Sequence, residues 1–294
     1  RDKRTRRQCE TASLQLANIL FSKGAAADGI KALTTTYQDG RLASEVVNQA
    51  RSPIRTLLSG EQTKPKANTL ANEIIAFLRE QEPKSTASDE DKTYARNLCF
   101  LVVDVLRSAK RAPEVDKEFA NIAKRFGTDD QLLGRISEWH VANGEYAKAR
   151  QAYGRFEDKI AGLQLVATSY RQEKDIAQAI QTYNKLMSED AENQSKWKAE
   201  SAAAYREFNK YNEAIALYQE LVQEDAGNAD RWLWETATTH RDAGQWKEAI
   251  GCFRQSERFP ESYWEMASCH RRLKQHNEAI ALYNQIAGGD KGRA

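Results

Sequence analysis

Apolar residues recur at the spacing of an α-helix along most of the chain. In the first 129 residues this pattern predicts helices at 41–58, 67–81, 89–110 and 113–126. Pro53 lies inside the first of these ranges, so we expect the helix to break there. Eight of the nine residues from Leu98 to Leu106 are apolar, with Asp104 as the exception, which predicts a helix surrounded by other helices. The pattern indicates an all-α protein.

The chain from about residue 130 aligns with itself five times. An alanine anchors each copy, at spacings of 30, 35, 35 and 30 residues: Ala149, Ala179, Ala214, Ala249 and Ala279. An aromatic residue follows each alanine by four positions, and a small residue precedes it by twelve. Small residues at fixed points on two successive helices let their backbones approach closely. Each copy is therefore predicted to be a helical hairpin, and the copies are predicted to stack.

Residues 211–218 and 276–283, with the sequences YNEAIALY and HNEAIALY, closely resemble the second helix of the tetratricopeptide repeat family. The resemblance covers five repeats over residues 130–287. It implies an α-solenoid of stacked antiparallel helix pairs that winds into a right-handed superhelix. Two of the spacings are 30 residues instead of the family's period of about 34, which predicts trimmed turns.

The two ends of the chain have weaker patterns. Residues 1–129 are expected to form an irregular helical region with degenerate hairpins, the clearest of them near residues 8–38, and residues 288–294 are expected to be a flexible tail. No polar-faced helix closes the array after residue 287, so an apolar face is left over. We expect this end either to pack against further repeats of a longer protein or to contact another molecule. That molecule could be a second copy of the chain.

Composition narrows the classes of function. The chain has 44 Lys and Arg against 42 Asp and Glu, a formal net charge of +2, so no global field favours binding to nucleic acid or to an anionic membrane. No stretch reaches the roughly 18 to 20 apolar residues of a membrane span. The chain starts with Arg1 instead of Met, which suggests a piece of a longer protein. We expect a soluble protein, and a cytoplasmic location is favoured.

An active site finds little support. We find no glycine-rich phosphate loop, His-Glu-x-x-His helix, Gly-x-Ser-x-Gly elbow or Cys-x-x-Cys pair. Three of the four histidines take the ring position of the repeat and are interpreted as packing residues: His140, His240 and His270. The four cysteines are interpreted as buried, reduced thiols: Cys9, Cys99, Cys252 and Cys269. A disulfide between the last two is the alternative. We therefore expect no catalysis, no metal and no cofactor.

The resemblance implies a concave groove, lined by the first helices of the repeats, in which the family holds extended peptides or partner helices. Taken one residue onward from the packing positions, three rows of side chains are expected to face it. The first row is Gln164, Ala199, Trp234 and Trp264. The second row is Thr168, Ala203, Thr238 and Ser268. The third row is Arg171, Arg206, Arg241 and Arg271.

The arginine row supports two interpretations. Four forked guanidinium groups, one per repeat, could hold the carboxylates of an acidic peptide bidentately, with Trp234 and Trp264 as apolar anchors. Alternatively, each arginine stabilises the last turn of its own helix and is neutralised by acids such as Glu207 and Asp242, while the tryptophans seal the joints between repeats. Charge reversal of two row arginines separates these interpretations, since loss of folding would assign the row to structure.

These patterns predict a non-catalytic scaffold that binds a protein or peptide ligand in the concave groove. An acidic ligand is one of the candidates. The alternative is a regulatory or substrate-recruiting region of a larger multidomain enzyme. The family's chaperone-binding members carry a carboxylate clamp of Lys and Asn in the first two rows, and those rows here exclude that partner class. The residues expected to bind are Gln164, Thr168, Arg171, Arg206, Trp234, Thr238, Arg241, Trp264, Ser268 and Arg271.

Overall fold

A computed structural model describes residues 3–37, 40–256 and 258–289, and over these residues it contains sixteen α-helices and two short 3-10 helices, with no strand. The all-α prediction is therefore confirmed. Contacts between Cα atoms divide the chain into two compact parts, which we call the N-terminal body (Arg1–Leu132) and the repeat body (Leu133–Ala294).

The N-terminal body is irregular. Its helices are α1 (Lys3–Ser22), α2 (Ala26–Thr34), α3 (Leu42–Ser59), α4 (Lys64–Glu80), α5 (Asp89–Ser108) and α6 (Ala112–Phe126). α3 lies at the centre and packs against α1, α2, α4 and α5. α5 packs against α3, α4 and α6, and its one acidic residue in the apolar run, Asp104, pairs with Arg51 of α3. The carboxylate is thus partly buried with a cation beside it.

The expected break at Pro53 is wrong, because α3 continues through this residue from Leu42 to Ser59. Proline has no N–H, so it cannot donate to the carbonyl oxygen of Gln49, four residues earlier. Asn18 of α1 supplies the missing donor, and its Nδ2 lies 3.2 Å from that carbonyl oxygen. The side-chain amide of a neighbouring helix therefore keeps the partly buried backbone group satisfied.

We expect Asn18→Ala to lower the free energy of unfolding by about 1–2 kcal/mol, because it leaves the Gln49 carbonyl without a partner. Urea unfolding followed by circular dichroism measures the change. Gln49→Ala is the matched control, since it removes a side chain at the same place and keeps the carbonyl, and we expect it to cost less than about 0.5 kcal/mol. Equal costs for the two variants would contradict this role of Asn18.

The repeat body holds five helix pairs. The first helix, α7 (Asp130–Ala142), begins shortly before Leu133, where the repeat body starts. The helices that follow are α8 (Tyr146–Tyr153), α9 (Lys159–Gln172), α10 (Ile176–Glu189), α11 (Gln194–Glu207), α12 (Tyr211–Glu224), α13 (Ala229–Asp242), α14 (Trp246–Gln255), α15 (Glu261–Arg272) and α16 (His276–Gly288). From α8 to α16 each helix packs against the next one in sequence. We number the pairs repeats 1 to 5, from α7–α8 to α15–α16. The prediction of a helical solenoid of stacked pairs is confirmed.

The small residues of the two helices meet inside each pair. All five anchor alanines are buried, and so are the small residues twelve positions before them: Ser137, Ala167, Ala202, Ala237 and Ala267. In repeat 1 the hydroxyl of Ser137 donates to the carbonyl oxygen of Ala149 at 3.3 Å. The aromatic residues four positions after the alanines fill the adjoining space, and Tyr183 and Phe253 are fully buried.

The turns inside the five pairs share one backbone conformation. Each contains a residue with a positive φ between 60° and 75°: Gly144, Lys174, Asn209, Gly244 and Lys274. The N–H of the next residue closes the turn on the carbonyl five positions back, as from Glu145 to His140 at 2.8 Å. This is the Schellman ending of a helix. Gly24 and Lys110 take the same conformation in the α1–α2 and α5–α6 turns of the N-terminal body.

The prediction that trimmed turns cause the two 30-residue spacings is wrong. The second helix is shortened instead, to 8 residues in α8 and 10 in α14, against 14 in α10 and in α12. After α8 the chain passes close to the next helix, where a Cβ atom on Gly162 would lie 2.5 Å from the carbonyl oxygen of Tyr153. A missing helical turn therefore lets α9 approach the end of α8.

Two turns between repeats are closed by the same side chains. The carboxylate of Asp190 accepts a hydrogen bond from the indole Nε1 of Trp197 at 2.9 Å, and Asp225 accepts one from Trp232 at the same distance. These pairs fix the start of α11 and α13. The expected flexible tail begins within α16, which ends at Gly288, and residues 290–294 lie outside the described residues.

Candidate partner-binding face

A pocket of about 670 Å³ lies on the face formed by repeats 2 to 4. Two small side chains of the predicted rows, Ala199 and Ala203 of α11, line it together with Tyr218 of α12 and Trp232 of α13. The rings of Tyr218 and Trp232 stack with centroids 6.4 Å apart. At the positions of these two alanines the neighbouring repeats carry larger side chains, so the pocket exists where repeat 3 has alanine in both rows.

Three of the four row arginines form ion pairs with the next repeat. Arg171 donates from Nε and Nη2 to one carboxylate oxygen of Glu207, at 2.9 and 2.6 Å. Arg206 makes the same two contacts with Asp242, also at 2.9 and 2.6 Å. We call this set of pairs the arginine ladder. These contacts correspond to the second interpretation of the row, in which Glu207 and Asp242 neutralise the arginines.

A second acid completes each rung of the arginine ladder. Glu200 lies 3.3 Å from Nη1 of Arg171, and Glu235 lies 3.0 Å from Nη1 of Arg206. Arg241 pairs with Glu265 at 2.8 Å and with its own neighbour Asp242 at 3.1 Å. Each arginine thus reaches from one first helix to the next. The guanidinium groups use their donors inside the protein.

Two arginines of the ladder have raised pKa values. Burial disfavours the charged form of Arg171, but hydrogen bonds with Tyr183 and Glu207 outweigh this effect and raise its pKa above the ordinary value. For Arg241 the bonds with Glu265 and Asp242 likewise outweigh burial and raise the pKa. Burial, and then the neighbouring Glu235, raises the pKa of Tyr218 to about 12. Arg171 and Arg241 therefore stay charged and Tyr218 stays neutral near pH 7.

Arg271 differs from the other row arginines. It is exposed, and its side chain has no hydrogen bond or ion pair with any residue that the structure describes. Residues 258–289 contain no first helix of a sixth repeat, so no acid corresponds to Glu207 or Asp242. The cation of repeat 5 faces solvent.

The two row tryptophans pack in the same way and differ in exposure. Trp234 meets Phe253 edge-on at 5.1 Å, and Trp264 meets Tyr283 edge-on at 5.0 Å. The guanidinium of Arg258 lies 4.8 Å from the Trp234 ring and covers it in part. Trp264 remains 52% exposed. Trp234 therefore packs on the second helix of its own repeat beneath Arg258, while Trp264 offers an open surface.

The other row residues divide by burial. Gln164, Thr168 and Ser268 are exposed. Thr238 is only 6% exposed, and its hydroxyl donates to the carbonyl of Glu235 at 3.0 Å, which leaves it little surface for a ligand. The structure thus gathers Ala199, Ala203 and two arginines at one pocket and spreads the remaining row residues over other repeats.

Several residues of this face escaped the sequence analysis, namely Glu200, Glu235, Glu265, Tyr218 as a lining residue and Trp232. A signal for two of the acids does exist in the sequence. Glu200 and Glu235 lie 29 residues after Arg171 and Arg206, and the acids at 36 residues complete the same pairs. The offset of 29 residues is the length of one repeat minus about two turns of helix. Acids that follow an arginine by about one repeat length therefore mark these contacts in the sequence.

The histidines and cysteines have structural surroundings. Nδ1 of each ring-position histidine lies within hydrogen-bond distance of the side chain five residues later, at 2.7, 2.6 and 2.7 Å: His140 with Glu145, His240 with Gln245 and His270 with Gln275. Cys252 and Cys269 are free thiols, and burial followed by Glu265 raises the pKa of Cys269 to about 11. The expectation of four buried cysteines holds for Cys99 and Cys269; Cys252 is only partly buried, and Cys9 lies exposed on α1.

Residues 3–37, 40–256 and 258–289 contain neither a metal-binding cluster nor a helix able to span a membrane. No group of three or more His, Cys, Asp or Glu side chains there could hold a metal ion. None of the helices in that part of the chain combines the length and apolar character that crossing a lipid bilayer requires.

The stacked hairpins and their alanine crossings define a helical-repeat protein. A family model described as tetratricopeptide repeat matches residues 163–192, and one described as anaphase-promoting complex, cyclosome, subunit 3 matches residues 207–286. Over these residues the chain is built of repeats of the tetratricopeptide type. Folds of this type are generally protein-interaction scaffolds and typically non-catalytic. No curated protein matches the sequence.

Solved structures with similar folds include other repeat proteins. MamA from Desulfovibrio magneticus RS-1 is 14% identical over 54% of this chain and 93% of that chain, with a TM-score of 0.40. A tetratricopeptide repeat protein from Parabacteroides merdae is 13% identical over 82% and 93%, with a TM-score of 0.41. Yeast Tom70 is 13% identical over 95% and 78%, with a TM-score of 0.39. Similarity at this level says nothing about what this chain binds.

Proposed function

We propose that the repeat body is a non-catalytic scaffold that binds a peptide segment of another protein in the pocket over Ala199 and Ala203. The observation that carries the proposal is the pocket itself, about 670 Å³ in volume, with alanine methyl groups and the Tyr218 and Trp232 rings in its lining. An apolar side chain of a ligand would be removed from water there, next to aromatic surface of the kind that anchors interfaces.

The charges around the pocket favour a particular ligand. Its lining contains four carboxylates and three guanidinium groups: Glu200, Glu207, Glu235 and Asp242, with Arg171, Arg206 and Arg231. Two of these arginines are paired with the acids of the arginine ladder, and the four carboxylates outnumber the three guanidinium groups, so the lining carries an excess of acceptor oxygens and negative charge. We therefore propose an apolar residue flanked by main-chain N–H groups or a basic side chain. The ladder gives no support to an acidic ligand at this place.

The domain organisation is part of the proposal. We propose five binding repeats over residues 130–287 and an N-terminal region, residues 1–129, in which the α1–α2 and α5–α6 hairpins are degenerate repeats. Their turns support this assignment, because Gly24 and Lys110 have the positive φ found at the turn of every repeat. α3 and α4 do not follow the pattern, since α3 contacts four other helices.

The test fills the pocket and leaves every residue of the arginine ladder unsubstituted. Peptides are selected against the wild-type protein from a displayed random library, and their affinity is measured by fluorescence anisotropy with Ala203→Trp and with Ala216→Trp. Ala216 is an exposed alanine of α12 outside the pocket and serves as the matched control. We expect Ala203→Trp to weaken binding at least about tenfold and Ala216→Trp to leave it unchanged.

Thermal melting of both variants shows that each remains folded. Selected peptides that bind wild-type protein and Ala203→Trp equally would contradict the pocket as the site. Failure to select any peptide would contradict the proposal that the pocket binds peptides.

A further inference from the structure

The last helix pair exposes side chains that the interior repeats bury. The residue after the anchor alanine is isoleucine in repeats 2 to 5. Ile180 of repeat 2 is partly buried, and the exposed fraction is 6% at Ile215 and 7% at Ile250 but 55% at Ile280. Ile250 belongs to a buried cluster that includes Met266 of the next first helix. α16 therefore shows solvent a face that α14 covers with α15.

This face is nearly a copy of one whose occupant is known. Residues 276–283 of α16 match residues 211–218 of α12 at seven of eight positions, and α12 packs against α13. Arg271 and Arg206 take the same place relative to these segments, 65 residues apart. The side chains that hold α13 against repeat 3 are thus present again at repeat 5.

The interior contact also specifies the charge of the occupant. α13 supplies Glu235 and Asp242, seven residues apart and so on one face of the helix, and both accept from Arg206. α11 supplies Glu200 and Glu207 to Arg171 with the same spacing. Arg271 has no such acid among the described residues. Trp264, half-exposed next to Tyr283, adds apolar surface to the same end.

We propose that the exposed face of repeat 5, formed by Trp264, Arg271, Ile280 and Tyr283, docks an amphipathic helix of another protein that carries two carboxylates seven residues apart beside an apolar stripe. The helix takes the place of a first helix, with its acids on Arg271 and its apolar side chains over Ile280. This surface is separate from the pocket over Ala203 and goes beyond the proposed function.

A second copy of the chain fits this face less well. The exposed apolar side chains Leu16 and Ile19 make α1 a candidate occupant. However, α1 has a single acid, Glu10, and four arginines or lysines in its first five residues, which would repel Arg271. Charge complementarity therefore favours the acidic helix.

The probe is a fluorescein-labelled synthetic peptide of residues 225–244, which contains α13 with both of its acids. We expect it to bind the whole chain saturably in fluorescence anisotropy. Arg271→Glu and Ile280→Asp should each weaken binding at least about tenfold. Lys247→Glu, which changes an exposed cation of α14 by the same charge, should leave it unchanged, and so should Ala203→Trp.

Charge exchange makes the test specific. A peptide with Glu235→Lys and Asp242→Lys should bind the Arg271→Glu protein better than the wild-type protein. The proposal is overturned if the peptide does not bind, or if Arg271→Glu and Ile280→Asp both leave its affinity unchanged. It is also overturned if sedimentation shows a dimer that Ile280→Asp dissociates while the peptide has no effect, because the occupant is then a second copy.

Discussion

Trp197→Ala is expected to lower the free energy of unfolding of the repeat body by about 3–5 kcal/mol, the range for removing a large buried aromatic side chain. Trp197 is fully buried at the joint between repeats 2 and 3, in a cluster with Tyr183, Leu186 and Ala204. Its indole Nε1 also donates to Asp190, which closes the turn before α11. The substitution therefore opens a cavity and loosens a turn at one joint.

One further variant, at the same position, separates these two effects. Trp197→Phe keeps most of the ring and loses the hydrogen bond, so we expect a cost of about 1–2 kcal/mol. Asn193 and Trp197 hold the pKa of the Asp190 carboxyl below its usual value, and this pKa should rise in both variants. NMR titration of the Asp190 side chain measures the rise.

Trp264→Ala is the matched control for burial, because the same residue type is half-exposed there. We expect it to cost less than about 1 kcal/mol. Chemical unfolding of all three variants gives the comparison. A cost for Trp197→Ala no larger than that for Trp264→Ala would contradict the packing described for this joint.

The helical pairs could be predicted because their signal is periodic. A close crossing needs a small residue at the same place on both helices, so Ala214 and its equivalents mark the repeat in the sequence. The uninterrupted helix at Pro53 could not be predicted, because its missing donor is replaced by Asn18, a residue distant in sequence. Proline does disfavour the interior of a helix, as local propensity says. The hydrogen bond from Asn18 compensates for the missing N–H donor and lets the helix continue.

The sequence predicts where the side chains of the candidate face lie, but not which of their charged groups are available to a ligand. The row containing Arg171 and Arg206 follows from the helical phase, and the structure places both at one pocket. Whether an arginine on such a row is open to a ligand depends on acids in the next repeat, such as Glu235, whose approach depends on how the repeats stack. Stacking angles are set by side-chain packing across the joint, which a single sequence does not display.

The double variant Arg206→Glu with Arg241→Glu is expected to destabilise the repeat body by about 2–5 kcal/mol. Asp242 accepts from both arginines, so charge reversal places two carboxylates beside it and beside Glu235 and Glu265. The first helices α11, α13 and α15, which the ion pairs hold together in the wild-type protein, then repel one another. With a loss of about 2–4 °C for each kcal/mol, the melting temperature should fall by about 4–20 °C.

Asp242 provides the decisive control for this prediction. Adding Asp242→Arg to the double variant places a cation between the two new carboxylates, and we expect it to recover part of the lost stability. Lys210→Glu with Lys247→Glu changes the net charge equally at two exposed positions and should leave the melting temperature within about 2 °C, since isolated surface charges contribute little. An unchanged melting temperature in the arginine double variant, together with weaker peptide binding, would instead assign the row to ligand recognition, because groups that hold a partner need not hold the repeats together.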